Sequence, residues 1–364
     1  MSEASKFVPD PSVRCRDYRI GVIGAGFIMA DVQLASYHEA EFPVVAIASR
    51  TRSKAEEVAK RWGIPKTHDT PQALIEDKDV EILDIAFPPD QQPGLIRAAL
   101  RQKHIKAILA QKPLALDLAT AKSVAAEAKA AGRILSVNQN MRFDQSMRVL
   151  KQILDRGDLG SPVIGTIEMR AIPHWQTFLA DYDRLTLLNM SVHHLDVLRF
   201  LLGDPIDIFT AARPDPRTNF PHRDGVCVST LRFPSGALAV SLEDVWTGPH
   251  EDGFDSDIYI KWRMEGTDGL AEGTIGWPDY PKGSPSTLRY SCRATGGKWV
   301  RPSWTTRWFP HAFKGVMEQL QYAVKTGGEP ELNAADNLKT MALIEAAYRS
   351  LDERRAVALS EFGV

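Results

Sequence analysis

Short apolar runs alternate with stretches of helical periodicity through the first 140 residues. Between these runs, apolar positions recur every three or four residues, as at 52–62 and 115–131. Ser53 is a plausible N-cap for the first of these helices. Near-continuous apolar strands that alternate with helices are typical of a parallel sheet covered on both faces. We therefore predict an α/β domain with a doubly wound parallel sheet over residues 1–141. The apolar runs lie at residues 19–23, 44–48, 81–87, 106–109 and 133–137.

The pattern changes after about residue 140, where long strand-like runs follow one another. Turn sequences such as Pro234-Ser235-Gly236 join several of them, which indicates a largely antiparallel sheet. We predict a second domain over residues 142–364, and we leave open whether its C-terminal helices pack back on the first. The predicted strands are 163–172, 206–213, 226–233, 237–246, 258–265 and 270–275, and the predicted helices are 145–155, 190–202, 313–325 and 334–352.

Composition narrows the class of protein. The 364 residues carry a formal charge of 44 − 46 = −2, so no basic field attracts nucleic acid or an anionic membrane. With 44% hydrophobic and 25% charged residues, the chain resembles an ordinary globular protein. Its three cysteines form no CxxC pair, which suits a reducing compartment. The first 17 residues read as a loose arm without the apolar core of a signal peptide, and no apolar stretch approaches the ~20 residues that span a bilayer. We expect a cytoplasmic protein.

Two glycines stand at the end of the first predicted strand, in the sequence IGVIGAGFIM at residues 20–29. Gly24 permits a tight turn, and Gly26 lets the backbone approach a pyrophosphate. The phosphates then lie on the N–H groups that open the next helix, at Phe27 and Ile28. The third glycine of the dinucleotide motif is absent. Because the turn opens a βαβ unit, we predict a dinucleotide-binding loop.

The end of the second strand bears on the choice of dinucleotide. An acidic residue there would hold the ribose 2′-hydroxyl of NAD, whereas this chain has Ser49-Arg50-Thr51-Arg52. Small and basic groups suit a 2′-phosphate, since a guanidinium pairs with it in a bidentate manner. We predict NADP as the cofactor in preference to NAD. The alternative is that Arg50 only stacks on the adenine.

Three further segments, taken with the glycine loop, carry a family resemblance. In this order along the chain they resemble the Gfo/Idh/MocA oxidoreductases, the group of glucose–fructose oxidoreductase and inositol dehydrogenase. The resemblance extends from about Tyr18 to about Val357 and includes the stretch DNLKT at residues 336–340. The segments are DIAFPP at residues 84–89, QKPLA at residues 111–115 and VHHLD at residues 192–196.

The resemblance implies a Rossmann domain followed by an α/β domain with an open, mainly antiparallel sheet. It also implies hydride transfer between a nicotinamide and a sugar or polyol. The lysine of the family's Glu-Lys-Pro motif falls on Lys112, with Gln111 in place of the glutamate. The family's histidine falls on His193, with Asp196 three residues later. Asn189 stands where the family has an acidic residue, so an Asp–His dyad is not expected.

Alcohol oxidation requires a base for the hydroxyl proton and a group that stabilises the developing negative oxygen. Lys112 follows a parallel strand at the edge where such sheets bind ligands, so we predict that its ammonium binds the reacting oxygen. In a helix, Asn189 and His193 share one face, and we predict that His193 is the acid–base residue. The alternatives are a solvated surface lysine and a buried histidine paired with Asp196. His194 points about 100° away and is expected to be structural.

Other candidates follow from position alone. Asn138, Asn140 and Arg142 come after the last strand of the first domain, where they contact either substrate and nicotinamide or only the hinge. Pro88 is predicted to shape the wall beside the cofactor.

Aromatic and histidine positions complete the set. Trp175, beside His174, is placed to stack on a pyranose ring, although tryptophans on a broad sheet also pack against a second subunit. Spacing alone does not place Trp308 or His311. The histidine spacing matches no metal-ligand pattern, so we predict no metal site.

The sequence is compatible with three functions. The first is an NADP- or NAD-dependent dehydrogenase or reductase of a sugar, sugar acid or cyclic polyol. The second is a glycoside-cleaving enzyme that oxidises its substrate transiently with a retained nicotinamide, and the third is a non-catalytic ligand sensor. We also predict a homodimer or homotetramer formed through the open sheet, because the helices are too few to cover both of its faces.

Overall fold

The computed structural model divides the chain into two compact units. The first unit comprises Asp10–Phe143 and Phe309–Met341, and the second comprises Met1–Pro9, Asp144–Trp308 and Ala342–Val364. The assignment of cofactor binding to residues 1–141, and of substrate binding and oligomerisation to residues 142–364, stays a prediction. The structure describes residues 7–170, 177–218, 220–244, 258–276 and 283–364.

A six-stranded parallel sheet forms the core of the first unit, in the strand order β3-β2-β1-β4-β5-β6. All residues of β1, β4 and β5 are buried, as expected for strands with helices on both faces. This confirms the predicted doubly wound sheet and gives the classical order of a dinucleotide-binding fold. The pattern missed β3, because its Lys-Thr-His sequence is polar and only half-buried. The strands are β1 Ile20–Ile23, β2 Val44–Ala48, β3 Lys66–His68, β4 Ile82–Ile85, β5 Ala107–Ala110 and β6 Ile134–Val137.

The helices follow the apolar periodicity closely, with differences at their ends. Thr51, not Ser53, is the N-cap of the helix at 52–62, and its side chain makes no capping hydrogen bond. Ser53 lies inside the first turn, so the predicted cap is wrong. The helices are α1 Leu34–Glu39, α2 Arg52–Trp62, α3 Pro71–Glu76, α4 Gln92–Leu100, α5 Leu118–Ala130, α6 Gln145–Asp155, α7 Val192–Leu202, α8 Ala312–Thr326 and α9 Ala334–Glu353.

The chain just before the first strand is anchored, which corrects the prediction of a loose arm. The Arg14 guanidinium donates to Glu318 on α8 from Nε at 2.7 Å and from Nη2 at 3.0 Å. Cys15 is buried. Three residues later, the Tyr18 N–H donates to Gln321 on α8 at 3.1 Å. The packing of this segment on α8 was not predicted, because isolated charged residues form no recognisable pattern in the sequence.

An eight-stranded sheet forms the second unit, in the order β13-β12-β11-β7-β10-β9-β8-β14. All neighbouring strands are antiparallel except β7 and β10, which run parallel, so the predicted open, mainly antiparallel sheet is confirmed. The ends of two predicted strands, 171–172 and 245–246, lie outside the described residues. The strands are β7 Pro162–Arg170, β8 Asp207–Arg213, β9 Val226–Arg232, β10 Leu238–Asp244, β11 Tyr259–Gly266, β12 Gly269–Ile275, β13 Thr287–Cys292 and β14 Val357–Ala358.

The two faces of this sheet differ in cover. Helices α6 and α7 pack on one face, where Gly165 lies near Leu202 of α7. The opposite face carries exposed apolar side chains on adjacent strands: Phe209 is 43% exposed, Val228 38% and Leu238 48%. Within the described residues, the second face is therefore the uncovered one.

Candidate functional site

The glycine turn of the first unit has the geometry that a nucleotide loop needs. Gly24 has a φ of +123°, and a Cβ there would lie 2.5 Å from the carbonyl oxygen of Ala86, at the end of β4. Any other residue would therefore strain the turn and clash with the backbone. Gly26 is exposed, and a Cβ built on it meets no atom within 4 Å. The backbone at Gly26 is thus open to a ligand.

A helical segment starts directly after this turn. Phe27 precedes a π-helical turn at Ile28–Gln33, which continues into α1, and the Ala30 N–H donates to the Gly26 carbonyl at 2.8 Å. The first N–H groups of a helix have no acceptor within it and attract anions. Phe27 is exposed, and its ring centroid lies 6.5 Å from that of Phe309. These features fit a pyrophosphate on the N–H groups of Phe27 and Ile28.

Several predicted residues follow the carboxyl ends of parallel strands and so share one edge of the sheet. Ser49 follows β2, Pro88 follows β4 and Lys112 follows β5. The strand order reverses between β1 and β4, which is the usual ligand crevice of such sheets. Ser49 is buried and Arg50 is exposed. Arg52 is paired with a carboxylate of its own helix, since its Nε donates to Glu56 at 2.8 Å.

Unsatisfied amides lie at the same edge, after β6. The Nδ2 atom of Asn138 and both polar side-chain atoms of Gln139 have no hydrogen-bond partner in the described structure, although these residues are only 0% and 2% exposed. Buried amides are normally satisfied, so these atoms are suited to a bound ligand. Asn140 is buried and donates to the Asn138 carbonyl at 3.3 Å. Sequence reasoning missed Gln139, because a lone glutamine after a strand carries no signal.

Arg142 is part of a buried ion pair. Its Nη2 atom donates to Asp336 on α9 at 2.6 Å, within the first unit. A direct role of Arg142 in binding substrate stays a prediction.

Lys112 lies in a turn held by a buried glutamine from α4. Gln92 accepts the Gln111 N–H at 2.6 Å through Oε1, and its Nε2 donates to the Gln111 carbonyl at 2.8 Å and the Leu114 carbonyl at 3.1 Å. The peptide bond between Lys112 and Pro113 is cis. Desolvation by the surrounding protein lowers the pKa of Lys112 to about 7. An amine with this pKa can gain or lose a proton near neutral pH, and the choice between a catalytic and a solvated surface lysine stays a prediction.

In the second unit, Asn189 and His193 lie on a helix with an irregular start. A π-helical turn covers Leu187–Ser191, and α7 begins at Val192. Residues 190–202 are helical as predicted, but the first two of them belong to the π-turn. Asn189, His193 and Asp196 are all buried, so the polar positions of this apolar helix face the interior. π-turns of this kind are frequent at functional sites.

A buried carboxylate holds the beginning of this π-turn. Asp224 accepts the N–H groups of Leu185 and Leu187, each at 2.8 Å, and the hydroxyl of Tyr348 at 2.8 Å. Burial raises the pKa of Asp224, and these three donors oppose that rise. This support could not be predicted from the sequence, because Asp224 lies far along the chain from the turn.

The remaining tryptophan and histidine candidates lie in different surroundings. The Trp308 ring lies edge-on to His193, with centroids 6.0 Å apart and planes at 87°, and it is buried. His194 is fully buried, with Nδ1 3.3 Å from Glu243 Oε1, and its structural role stays a prediction. His311 belongs to the first unit and lies 3.4 Å from Glu39. His174 and Trp175 lie outside the described residues.

Two features are absent from the described part of the chain. No group of three or more His, Cys, Asp or Glu side chains there is arranged to hold a metal ion. No helix among those residues combines the length and apolar character needed to cross a membrane.

Comparison with known proteins identifies the family. Residues 18–139 match the oxidoreductase family with an NAD-binding Rossmann fold, and residues 147–272 match the Gfo/Idh/MocA C-terminal domain. D-apiose dehydrogenase of Rhizobium rhizogenes is 28% identical over 92% of this chain and 96% of its own. Myo-inositol 2-dehydrogenase of Thermotoga maritima is 27% identical over 94% of this chain and 99% of its own.

A solved structure supports the fold. An oxidoreductase from Agrobacterium radiobacter superimposes with a TM-score of 0.80 at 24% identity, covering 95% of this chain and 99% of its own. The chain belongs to the Gfo/Idh/MocA family of oxidoreductases. It is a nicotinamide-dependent dehydrogenase or reductase with an NAD-binding Rossmann domain.

Proposed function

We propose that this enzyme transfers hydride between a nicotinamide and the hydroxyl or keto carbon of a sugar, sugar acid or cyclic polyol. The observation that carries the proposal is the Lys112 turn, where a lysine with a lowered pKa stands at the ligand edge of a dinucleotide-binding sheet. The apiose and inositol dehydrogenases among the relatives support the substrate class.

The nicotinamide, when bound, accepts or donates the hydride. Lys112 binds the reacting oxygen through its Nζ and stabilises negative charge on it. His193 takes the hydroxyl proton during oxidation and returns it during reduction. Asn189 orients the imidazole by a hydrogen bond and adds no charge. His193 is buried on α7, with 5% of its surface exposed.

The cofactor we propose is NADP. Gly24 and Gly26 shape the loop, and the N–H groups of Phe27 and Ile28 bind the pyrophosphate. Ser49 leaves room for a 2′-phosphate, and the exposed Arg50 pairs with it.

Further contacts belong to the same proposal. Pro88 forms the wall beside the nicotinamide, and Asn140 lies at its amide. We propose that Arg142 binds substrate, as do His174 and Trp175, which lie outside the described residues.

The catalytic assignment is tested by Lys112→Ala and His193→Ala. Each variant should lower kcat on the order of 100-fold or more, the usual effect of losing an acid–base or charge-stabilising group. Dinucleotide binding and the melting temperature should stay unchanged. Lys106→Ala, at the exposed start of the same strand, is the control for loss of a lysine charge. An unchanged kcat in either variant would remove that residue from the mechanism.

We further propose that the enzyme is a homodimer or homotetramer in the cytoplasm. The uncovered face of the second unit's sheet supports this proposal, because Phe209, Val228 and Leu238 expose apolar area on neighbouring strands. A second copy of the same face would bury them.

A further inference from the structure

A buried carboxylate with no assigned role lies inside the first unit. Asp84 is in the middle of β4 and is almost fully buried. Its Oδ2 atom accepts from Gln33 Nε2 at 2.7 Å and from the Tyr37 hydroxyl at 2.7 Å, and both of these residues are also fully buried. Burial raises the pKa of Asp84 to about 7, and the two hydrogen bonds oppose that rise. An internal strand position normally holds an apolar residue, so this carboxylate calls for an explanation.

Asp84 is connected to the Lys112 turn by two amide side chains. Gln33 accepts from Gln111 Nε2 at 3.4 Å through its Oε1 atom. Gln111 in turn accepts the backbone N–H of Lys112 at 3.2 Å through its own Oε1. A continuous hydrogen-bond chain therefore runs from Lys112 through Gln111 and Gln33 to Asp84.

The chain has one direction. Each donor points towards Asp84, and above about pH 7, where Asp84 is ionised, the chain ends there because a carboxylate only accepts. This terminal acceptor fixes the Gln33 amide, which then presents its oxygen to Gln111. The Gln111 amide is fixed in the same way and presents its oxygen to the Lys112 N–H.

Gln111 also decides which charge stands next to Lys112. A glutamate at this position, as in the family motif, would put a carboxylate at the backbone N–H of Lys112, one residue from the amine, and a negative charge there favours the protonated lysine. The same glutamate would meet the Gln33 oxygen, which is an acceptor facing an acceptor. The combination of Gln111 with Asp84 avoids both conflicts.

We propose that Asp84 is a positioning residue for Lys112. Through Gln33 it fixes the orientation of Gln111, and it places the negative charge of this cluster at the far end of the chain from the catalytic amine. The proposal rests on the proposed role of Lys112 in hydride transfer. Asp84 itself touches neither substrate nor cofactor in this account.

The hydrogen bonds that each variant can form predict the outcome of a double-mutant cycle. In Gln111→Glu, two carboxylates compete for the single amide of Gln33, and one acceptor pair remains unsatisfied. In Asp84→Asn, the new amide oxygen still accepts from Gln33 and Tyr37, so the chain is kept but loses its fixed direction. In the double variant Gln33 can reverse, donating to Glu at 111 and accepting from Asn at 84. Each buried group then has a partner again.

The experiment measures kcat, melting temperature and Lys112 labelling in the wild type and these three variants. We expect Gln111→Glu to lower kcat about tenfold or more, since an unpaired buried acceptor has a cost of that order. Asp84→Asn should lower kcat only several-fold, roughly half of that effect on a logarithmic scale. The double variant should recover most of the kcat and melting temperature lost in Gln111→Glu. If Gln111→Glu does not fold, recovery of a folded double variant supports the proposal equally.

Labelling with trinitrobenzenesulfonate, mapped to Lys112 by mass spectrometry, gives a readout that a purely structural role would not move. The reagent attacks only the neutral amine, so its rate against pH follows the pKa of Lys112, about 7 in the wild type. The midpoint should rise by roughly one unit in both variants with Glu at 111 and stay in place in Asp84→Asn. Labelling does not depend on catalysis. If it follows this pattern while kcat stays constant throughout, the chain stands and the proposed role of Lys112 in the reaction fails.

Tyr37→Phe is the matched control, because it removes one donor to Asp84 without changing the direction of the chain. It should lower the melting temperature and leave the labelling midpoint in place. The proposal is overturned if Gln111→Glu is as active and as stable as the wild type. It is equally overturned if the double variant is no better than Gln111→Glu alone.

Discussion

Asp84→Asn should stabilise the protein, and the gain should depend on pH. The carboxylate is almost fully buried in β4, and its pKa is raised from 3.8 to about 7 by that burial. An asparagine has nearly the same shape and accepts the same hydrogen bonds from Gln33 and Tyr37. The substitution therefore removes the burial of a charge while it keeps the packing.

The size of the gain follows from the shift in pKa. Well below pH 3.8 the group is protonated in both the folded and the unfolded state, so the substitution should change little. Between pH 4 and pH 7 the unfolded state loses its proton first, and the folded wild type becomes progressively less stable relative to it. Above pH 7 the difference is constant. A shift from 3.8 to about 7 corresponds to on the order of 4 kcal/mol at pH 8.

Urea unfolding from pH 4 to pH 8 measures this difference. The free energies of unfolding of Asp84→Asn and wild type should be closest at pH 4 and diverge up to about pH 7. Asp90→Asn, at an exposed carboxylate after β4, is the control for loss of one negative charge. If the free energies of unfolding of Asp84→Asn and wild type differ by the same amount at every pH in this range, the pKa of Asp84 does not change on folding and the predicted gain is wrong.

Three further predictions concern the cofactor, the acid–base residue and the assembly. Wild-type enzyme should bind NADPH more tightly than NADH, and Ser49→Asp should weaken NADPH selectively through like-charge repulsion; calorimetry that finds NADH at least equally tight in the wild type would exclude this preference. Asn189→Asp should move the acidic limb of kcat/KM for alcohol oxidation upward by roughly one unit, since a new carboxylate favours protonated His193; a limb that stays in place or moves down would show that the two side chains do not interact in this way. Sedimentation at micromolar concentration should give a dimer or tetramer, and a single species near 40.4 kDa would contradict the assembly.

The sequence predicted the parts of the fold that depend on local apolar pattern. The strand at Val44–Ala48 and the helices at Arg52–Trp62 and Gln145–Asp155 begin and end where the pattern does. The strand at Lys66–His68 was missed, since it is an edge strand of polar residues whose partner strand supplies its stability. The parallel pairing of β7 with β10 is also invisible in the pattern, because it joins segments far apart in the chain.

The candidate site was predictable where motif and strand end coincide, as at Gly24 and Lys112. Its supporting residues were not. Asp224, which holds the turn before α7, and Trp308, which packs on His193, reach their positions only through long-range folding. Asp84 was visible within a family motif, but its connection to Lys112 requires the distances in the structure. The π-turn at Leu187–Ser191 looks like ordinary helix in the sequence, because the same residues suit both forms.

Hydride transfer to or from a sugar or polyol can be measured as turnover of the purified enzyme with sugars, sugar acids and inositols. Each compound is tested with NADP⁺ and with NAD⁺, and nicotinamide absorbance is followed at about 340 nm. The account predicts stoichiometric formation of reduced nicotinamide with at least one polyol or sugar, and its loss in Lys112→Ala. Substrate cleavage without net change in nicotinamide would instead indicate transient oxidation by a retained cofactor. Tight dinucleotide binding with no turnover of any compound in the panel would contradict the account and favour a ligand sensor.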